Sequence, residues 1–223
     1  MTVSLNGAKR AALVALISVS SLLLAGQAFA NTAKSAPGLD APPTDEITAE
    51  IVTINGSGCP AGTAKASVSP DKTSFKIRYA DYVAQTGPGN ATEFRKNCQI
   101  NLLVHIPQGF TFAIAKAEYK GFAGLKPGSS AVQHAYYYWA GSPDTRVADK
   151  SFDGPYYGSW NNIDVTPVAE LVYAPCGETR NLNINTDLKV TAGTSAPGAT
   201  NWISMSSASG SVDTIYHVDW KHC

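Results

Sequence analysis

The chain has 223 residues, 44% hydrophobic and 15% charged, with 17 basic residues balanced by 17 acidic ones. That is one domain's worth of chain. It carries no dense Lys/Arg run that would track a phosphate backbone, which argues against nucleic acid as a partner. The same balance argues against a polybasic membrane patch or an acidic tail.

Residues 1–30 read as an export signal. Lys9 and Arg10 form a short positive region, Ala11 to Gly26 is apolar, and Ala28-Phe29-Ala30 supplies small residues at a cleavage point placed after Ala30. The apolar run falls short of the roughly twenty residues of a membrane span, and no cysteine follows it, so no membrane anchor is expected. Cleavage would leave fifteen basic against seventeen acidic residues, a mild net −2. Residues 31–45 are rich in Ala, Pro, Thr and Ser and read as a flexible leader, with one β-rich domain over 46–223.

Short apolar or alternating runs broken by Gly, Pro, Asn and Asp then follow, without helical periodicity. Strands are expected at Glu50 to Ile54, Ala64 to Val68, Phe75 to Val83, Cys98 to Ile106, Phe110 to Tyr119, Ala131 to Trp139, Leu171 to Tyr173, Leu182 to Val190 and Thr214 to Trp220. Pro70-Asp71-Lys72 and Pro107-Gln108-Gly109 supply turn chemistry; the second, between Ile106 and Phe110, reads as a hairpin. The fold class is all-β, a two-sheet antiparallel sandwich, with a closed barrel as runner-up.

Cys59, Cys98, Cys176 and Cys223 are an even set in an exported chain and read as two disulfides rather than metal ligands. Three pairings are possible. Locality favours Cys59 with Cys98 and Cys176 with Cys223.

The nearest match to a serine elbow, Gly154-Pro-Tyr-Tyr-Gly158, has no serine at its centre, and bridged cysteines cannot act as nucleophiles. His217 and His222 are five apart, on opposite faces of a strand. Asp81, Glu93, Glu118, Asp153, Asp164, Glu170 and Asp187 are candidates for a glycosidase pair without any local motif to single two out. Asp144, Asp149, Asp153 and Asp164 cluster in the loop-rich stretch 142–165 but lack the register of a calcium loop. No catalytic residue, metal or cofactor is therefore expected.

Aromatic residues concentrate at Tyr136-Tyr137-Tyr138-Trp139 and at Tyr156, Tyr157 and Trp160 in a Gly/Asn-rich loop. In a strand, Tyr137 and Trp139 share one face and Tyr136 and Tyr138 the other. Rings facing outward stack on sugars, and nearby amides bond hydroxyls. Tyr137, Trp139, Tyr157, Trp160, Asn161 and Asn162 are the candidate binding residues; the bland alternative is that these aromatics form core and rim.

Taken in order, Gly56-Ser-Gly-Cys59-Pro60, Asp81-Tyr-Val-Ala-Gln85 with Gly87-Pro-Gly89, Arg95-Lys-Asn-Cys98-Gln99, Ile106-Pro-Gln-Gly109-Phe110, Tyr136-Tyr-Tyr138, and Pro175-Cys-Gly177 with Leu182-Asn-Ile-Asn-Thr186 resemble the secreted family catalogued as domain of unknown function 4360, from bacteria and fungi. The resemblance runs from about Thr48 to Cys223. It implies an exported, disulfide-bonded, β-rich domain and transfers no catalytic residue. The functional expectation is a secreted, non-enzymatic binding or interaction domain for an extracellular polysaccharide or protein. The alternatives are a carboxylate-dependent hydrolase and a protease-inhibitor or effector-like protein presenting the tethered loop Ala84 to Lys96.

Overall fold

The computed structural model describes residues 40–223 apart from Glu178, Ala208 and Ser209. The export signal of residues 1–30 and the leader up to residue 39 lie outside the described residues. Thirteen strands are present among the described residues: β1 (Thr48–Asn55), β2 (Ala64–Val68), β3 (Ser74–Tyr79), β4 (Val83–Thr86), β5 (Arg95–His105), β6 (Phe110–Leu125), β7 (Ser130–Trp139), β8 (Arg146–Asp153), β9 (Tyr156–Val165), β10 (Asn181–Thr191), β11 (Asn201–Ser204), β12 (Ser206–Ser207) and β13 (Gly210–His222). They form two antiparallel sheets. One has the order β1-β5-β10-β7-β8; the other runs β2-β3-β13-β6-β11-β4, with β9 also paired to β6 and β12 to β13. The fold is the expected all-β sandwich rather than a closed barrel.

Strand β6 organises the larger sheet. Its first half pairs with β13, its second half pairs with β11, and β9 runs along Lys116–Leu125. Phe112 and Ile114 point inward, and so do Ala117, Tyr119, Ala123 and Leu125, although the two sets differ in parity. A register shift opposite His217/Val218 explains this. One extra residue in β6, Ala115, moves the strand from one phase to the other, as a β-bulge does.

Between the sheets lie Ile77, Leu102, Leu182, Ile184, Leu188 and Ile203, with Tyr79, Tyr82, Tyr119 and Tyr216 also fully buried. Burying one such aliphatic side chain contributes about 1.5–3 kcal/mol. Tyr216 contacts Phe75, Tyr119 and Tyr137 with ring centroids 5.0, 6.1 and 6.0 Å apart, joining strands of both sheets. Tyr82 donates to the Thr186 carbonyl at 2.8 Å. Burial pushes the Tyr82, Tyr119 and Tyr216 phenols well above their ordinary pKa.

Disulfides join Cys59 to Cys98 and Cys176 to Cys223. Asp40–Asp45, in the stretch read as leader, runs against the body. The Lys72 ammonium donates to the carbonyls of Pro43, Thr44 and Asp45 at 3.1, 2.6 and 2.7 Å, and the His222 amide donates to the Asp40 carboxylate at 2.8 Å.

Four expectations about elements are corrected. The segment Cys98 to Phe110 is not a hairpin, because β5 pairs with β1 and β10 while β6 pairs with β13, β9 and β11. Pro107-Gln108-Gly109 instead carries the chain from one sheet to the other. The expected strand Phe75 to Val83 is two, β3 and β4, since the chain leaves the first pairing after Tyr79. The stretch 142–165 holds β8 and β9, which its polar composition hid. Leu171 to Tyr173 is not a strand; it follows a single 3-10 turn, Val168–Glu170.

Two glycines of β6 admit tryptophan rings against the backbone. A Cβ on Gly121 would sit 1.8 Å from the Ser204 carbonyl oxygen and 2.6 Å from the Trp160 ring; one on Gly124 would sit 2.7 Å from Trp202 Nε1. Gly121→Ala is expected to destabilise the protein by about 1–3 kcal/mol, the usual range for overpacking. Urea unfolding checks this, with a lowered midpoint at unchanged slope as the expected outcome.

Candidate functional site

The aromatic segment divides across strand β7 and the two edge strands. Tyr137 and Trp139 face the core with 5% and 4% exposure, whereas Tyr136 is 40% exposed and Tyr138 half-buried on the opposite face. Tyr137 packs on Tyr216, and Trp139 packs edge-on against Phe112 at 5.0 Å while its Nε1–H donates to the Val172 carbonyl at 2.9 Å. Trp160 is also buried, against Phe152 at 5.5 Å. Asn162 is half-buried and donates to Gln133 Oε1 at 2.7 Å. Of the six candidates from sequence, Tyr157 and Asn161 are the exposed ones.

Three places follow from this partition. The first is the outer face of the five-stranded sheet. In one cross-strand row stand Tyr138, Asn183 and Asn101; in the next stand Tyr136, Asn185 and Gln99. The amides are linked: Asn181 donates to Asn101 at 2.5 Å, and Asn101 donates to Asn183 at 2.8 Å. Each carboxamide has two donors and two acceptor lone pairs. The relay of Asn181, Asn101 and Asn183 is half-buried and Gln99 is exposed, so these amides keep hydrogen-bonding capacity toward solvent beside the tyrosines, whereas Asn185 is buried. The parity of β7 groups Tyr136 and Tyr138 together, but the sequence signal for which pair faces out was mixed, with His134 on one face and Gln133 on the other.

The second place is a cavity of about 220 Å³ where β8 begins and leaves the end of β7 uncovered, lined by Tyr137, Tyr138, Trp139, Asp144, Arg146 and Glu170 among others. Arg146 organises it. Its Nε and Nη2 donate to the two oxygens of Asp164 at 3.0 and 2.8 Å, its Nη1 donates to Glu170 at 3.1 Å, and Tyr137 donates to Asp164 at 3.1 Å. The bidentate Asp164 pair holds the guanidinium above its ordinary pKa. Burial, ahead of the adjacent Asp164 charge, raises the Tyr137 phenol.

This is where the structure brings two of the candidate acids together, and both are engaged by Arg146. Glu93 pairs with Lys96 and Asp187 with Arg95, each at 2.5 Å, while Asp81 and Asp153 are exposed. Asp149 of the acidic cluster contacts His134 at 2.7 Å, and no group of three or more metal-ligating side chains occurs among the described residues. The tethered loop Ala84 to Lys96 is strand at both ends, closed by the Gln85 amide donating to the Glu93 carbonyl at 2.9 Å, and exposes Phe94.

The third place is an open groove of about 590 Å³ between the edges of β8 and β9, lined by Lys150, Phe152, Tyr156, Trp160, Asn161 and Lys120, with Gly121 and Ser159. Lys120 shares the carboxylate of Glu118 with Lys116 and His217, at 3.0, 2.6 and 3.0 Å respectively. Lys116 and then Lys120 hold the Glu118 carboxyl down to about 2.

A family model described as "Domain of unknown function (DUF4360)" matches residues 45–223, and the chain belongs to that family. A protein of Arthroderma benhamiae described as an "Uncharacterized secreted protein" is 35% identical over 187 residues, covering 83% of this chain and 76% of the relative. Among solved structures, the enzymatically active domain of bacteriophage CBA120 tailspike protein 4 matches at 10% identity with a TM-score of 0.24. That match spans 77% of this chain and 19% of the tailspike chain.

Two outcomes follow. Because the folded pKa of Glu118 lies below that of an unfolded glutamate, about 4.3, its ionised form stabilises the fold fully above that value, and the contribution is lost as pH falls through about 2. Glu118→Gln should therefore be less stable than wild type at pH 7, with the gap closing by pH 2 in urea titrations. Arg146→Ala leaves Asp164, 11% exposed, without its cation. The expected loss is about 1–3 kcal/mol, and Arg146→Lys should recover only part of it because the two-pronged geometry is gone.

Proposed function

We propose that this DUF4360 member is an exported, non-enzymatic carbohydrate-binding domain, processed after Ala30, that holds a polysaccharide on the outer face of its five-stranded sheet. One observation carries the reading: Tyr136 and Tyr138 stand on the solvent side of β7, the first in a cross-strand row with the exposed Gln99 beyond the buried Asn185, the second in a row with the half-buried Asn183 and Asn101. Sugar rings offer an apolar C–H face and a rim of hydroxyls. Tyrosine rings match the first, and carboxamides, which both donate and accept, match the second. A sheet backed on its other side by a packed core is a rigid support for such contacts.

Export is supported by the secreted fungal relative and by the signal-like residues 1–30. The absence of catalysis is supported by the state of the candidate acids, of which Asp164 and Glu170 share one guanidinium. Tyr137, Trp139 and Trp160 serve this face from beneath as core, while Tyr157 and Asn161 lie on the other sheet. Tyr138 also lines the Arg146 cavity, so the tyrosine face continues into a pocket.

Co-sedimentation with insoluble neutral polysaccharides such as cellulose, chitin and β-glucan tests the reading. At about 0.5–1.5 kcal/mol per aromatic contact, Tyr136→Ala with Tyr138→Ala should weaken binding about tenfold without shifting the unfolding midpoint. Failure to bind any of these polymers, or binding indifferent to the double substitution, would reject it.

A further inference from the structure

The groove between β8 and β9 is chemically unlike the tyrosine face. Lys150 pairs in register with the buried Gln133 and lies between the buried Ala148 and Phe152, so it stands on the inner side of β8, at the open edge of the sandwich. No ion-pair partner is found for it among the described residues. Lys120, across the groove, shares one carboxylate with Lys116, so that cluster keeps an excess positive charge. Between the two lysines lie the rings of Phe152, Tyr156 and Trp160, in contact at 5.8 and 5.5 Å, and the exposed side chains of Ser159 and Asn161. The Trp160 Nε1–H is buried with no hydrogen-bond partner among the described residues.

We infer that this groove is a second carbohydrate site, selective for an anionic sugar residue in an acidic polysaccharide. The half-buried Tyr156 ring, backed by the buried Phe152 and Trp160, accepts the sugar's C–H face, Ser159 and Asn161 meet hydroxyls, and the ammonium groups of Lys150 and Lys120 meet the carboxylate or sulfate as point charges. A neutral ligand would leave Lys150 and the net positive Lys116/Lys120/Glu118 cluster without an added anion, so the discrimination comes from charge. Binding here is independent of the outer tyrosine face, because the two share no residue and lie on different surfaces of the sandwich.

Isothermal titration with an oligogalacturonide, its fully methyl-esterified form and a sulfated oligosaccharide tests the assignment. The oligogalacturonide or the sulfated chain should bind, the ester should bind about tenfold more weakly, and affinity should fall as salt is raised. The comparison between the two acids identifies the preferred anion. Lys150→Gln, an exposed substitution, should lower acidic-glycan affinity about tenfold and leave neutral-polysaccharide binding unchanged. Tyr136→Ala with Tyr138→Ala should do the reverse, so failure at either site is read separately. Equal binding of the acid and its ester, no binding of either acid, or indifference to Lys150→Gln would overturn the inference.

Discussion

The backbone pairing of one sixteen-residue strand, β6, on both of its edges is the constraint on which the larger sheet rests. Along one edge it takes β13 and then β11; along the other it takes β9. Two of those neighbours lay a tryptophan ring on a glycine of β6. Strand β9 brings Trp160 over Gly121, and β11 brings Trp202 over Gly124. The bulge at Ala115 lets a single strand keep its apolar side inward over its full length. Without that shift, Tyr119 and Leu125 would face solvent while Lys116, Glu118 and Lys120 faced the core. The charge cluster around Glu118 is outside because the strand changes phase.

Packing between the sheets also divides the aromatic residues. Tyr216 sits where Phe75, Tyr119 and Tyr137 converge, and Phe112 meets both Trp139 and Trp220. Committing Tyr137 and Trp139 to this layer fixes β7 in rotation about its own axis, which turns Tyr136 and Tyr138 outward. The same rings that looked like a ligand platform in the sequence thus act by orienting their neighbours. Arg146 does comparable work at the end of β7, anchoring Asp164 of β9 to β8 and so tying the two edge strands together.

Much of this was legible in the residues, and the parts that were not have identifiable causes. Alternation in Leu182 to Val190 and in Cys98 to Ile106 located the central strands of the smaller sheet because one side of each is apolar. Strands β8 and β9 were not visible, since edge strands bury few residues: Lys-Ser-Phe-Asp and Trp-Asn-Asn-Ile-Asp each bury a single large apolar side chain, Phe152 and Trp160, while Ile163 is exposed. Pro107-Gln108-Gly109 signalled a reversal correctly, but turn chemistry is the same whether the next strand pairs with the last or crosses to the facing sheet. In the tyrosine run the period of two gave the partition, and the choice of face depended on contacts with Phe112 and Tyr216, far away in sequence. The groove between β8 and β9 joins residues of β6, β8 and β9, and no local pattern announces such a meeting.

Lys150 has a role that does not depend on what the groove binds. Among the described residues, strands β8 and β9 each have one edge unpaired with any neighbouring strand, and such edges invite the strand of another molecule. A charge on the inner side of an edge strand opposes that addition, because a docking strand would strip water from the ammonium group without replacing its hydrogen bonds. An unpaired ammonium on this edge therefore works against the joining of copies of the chain edge to edge.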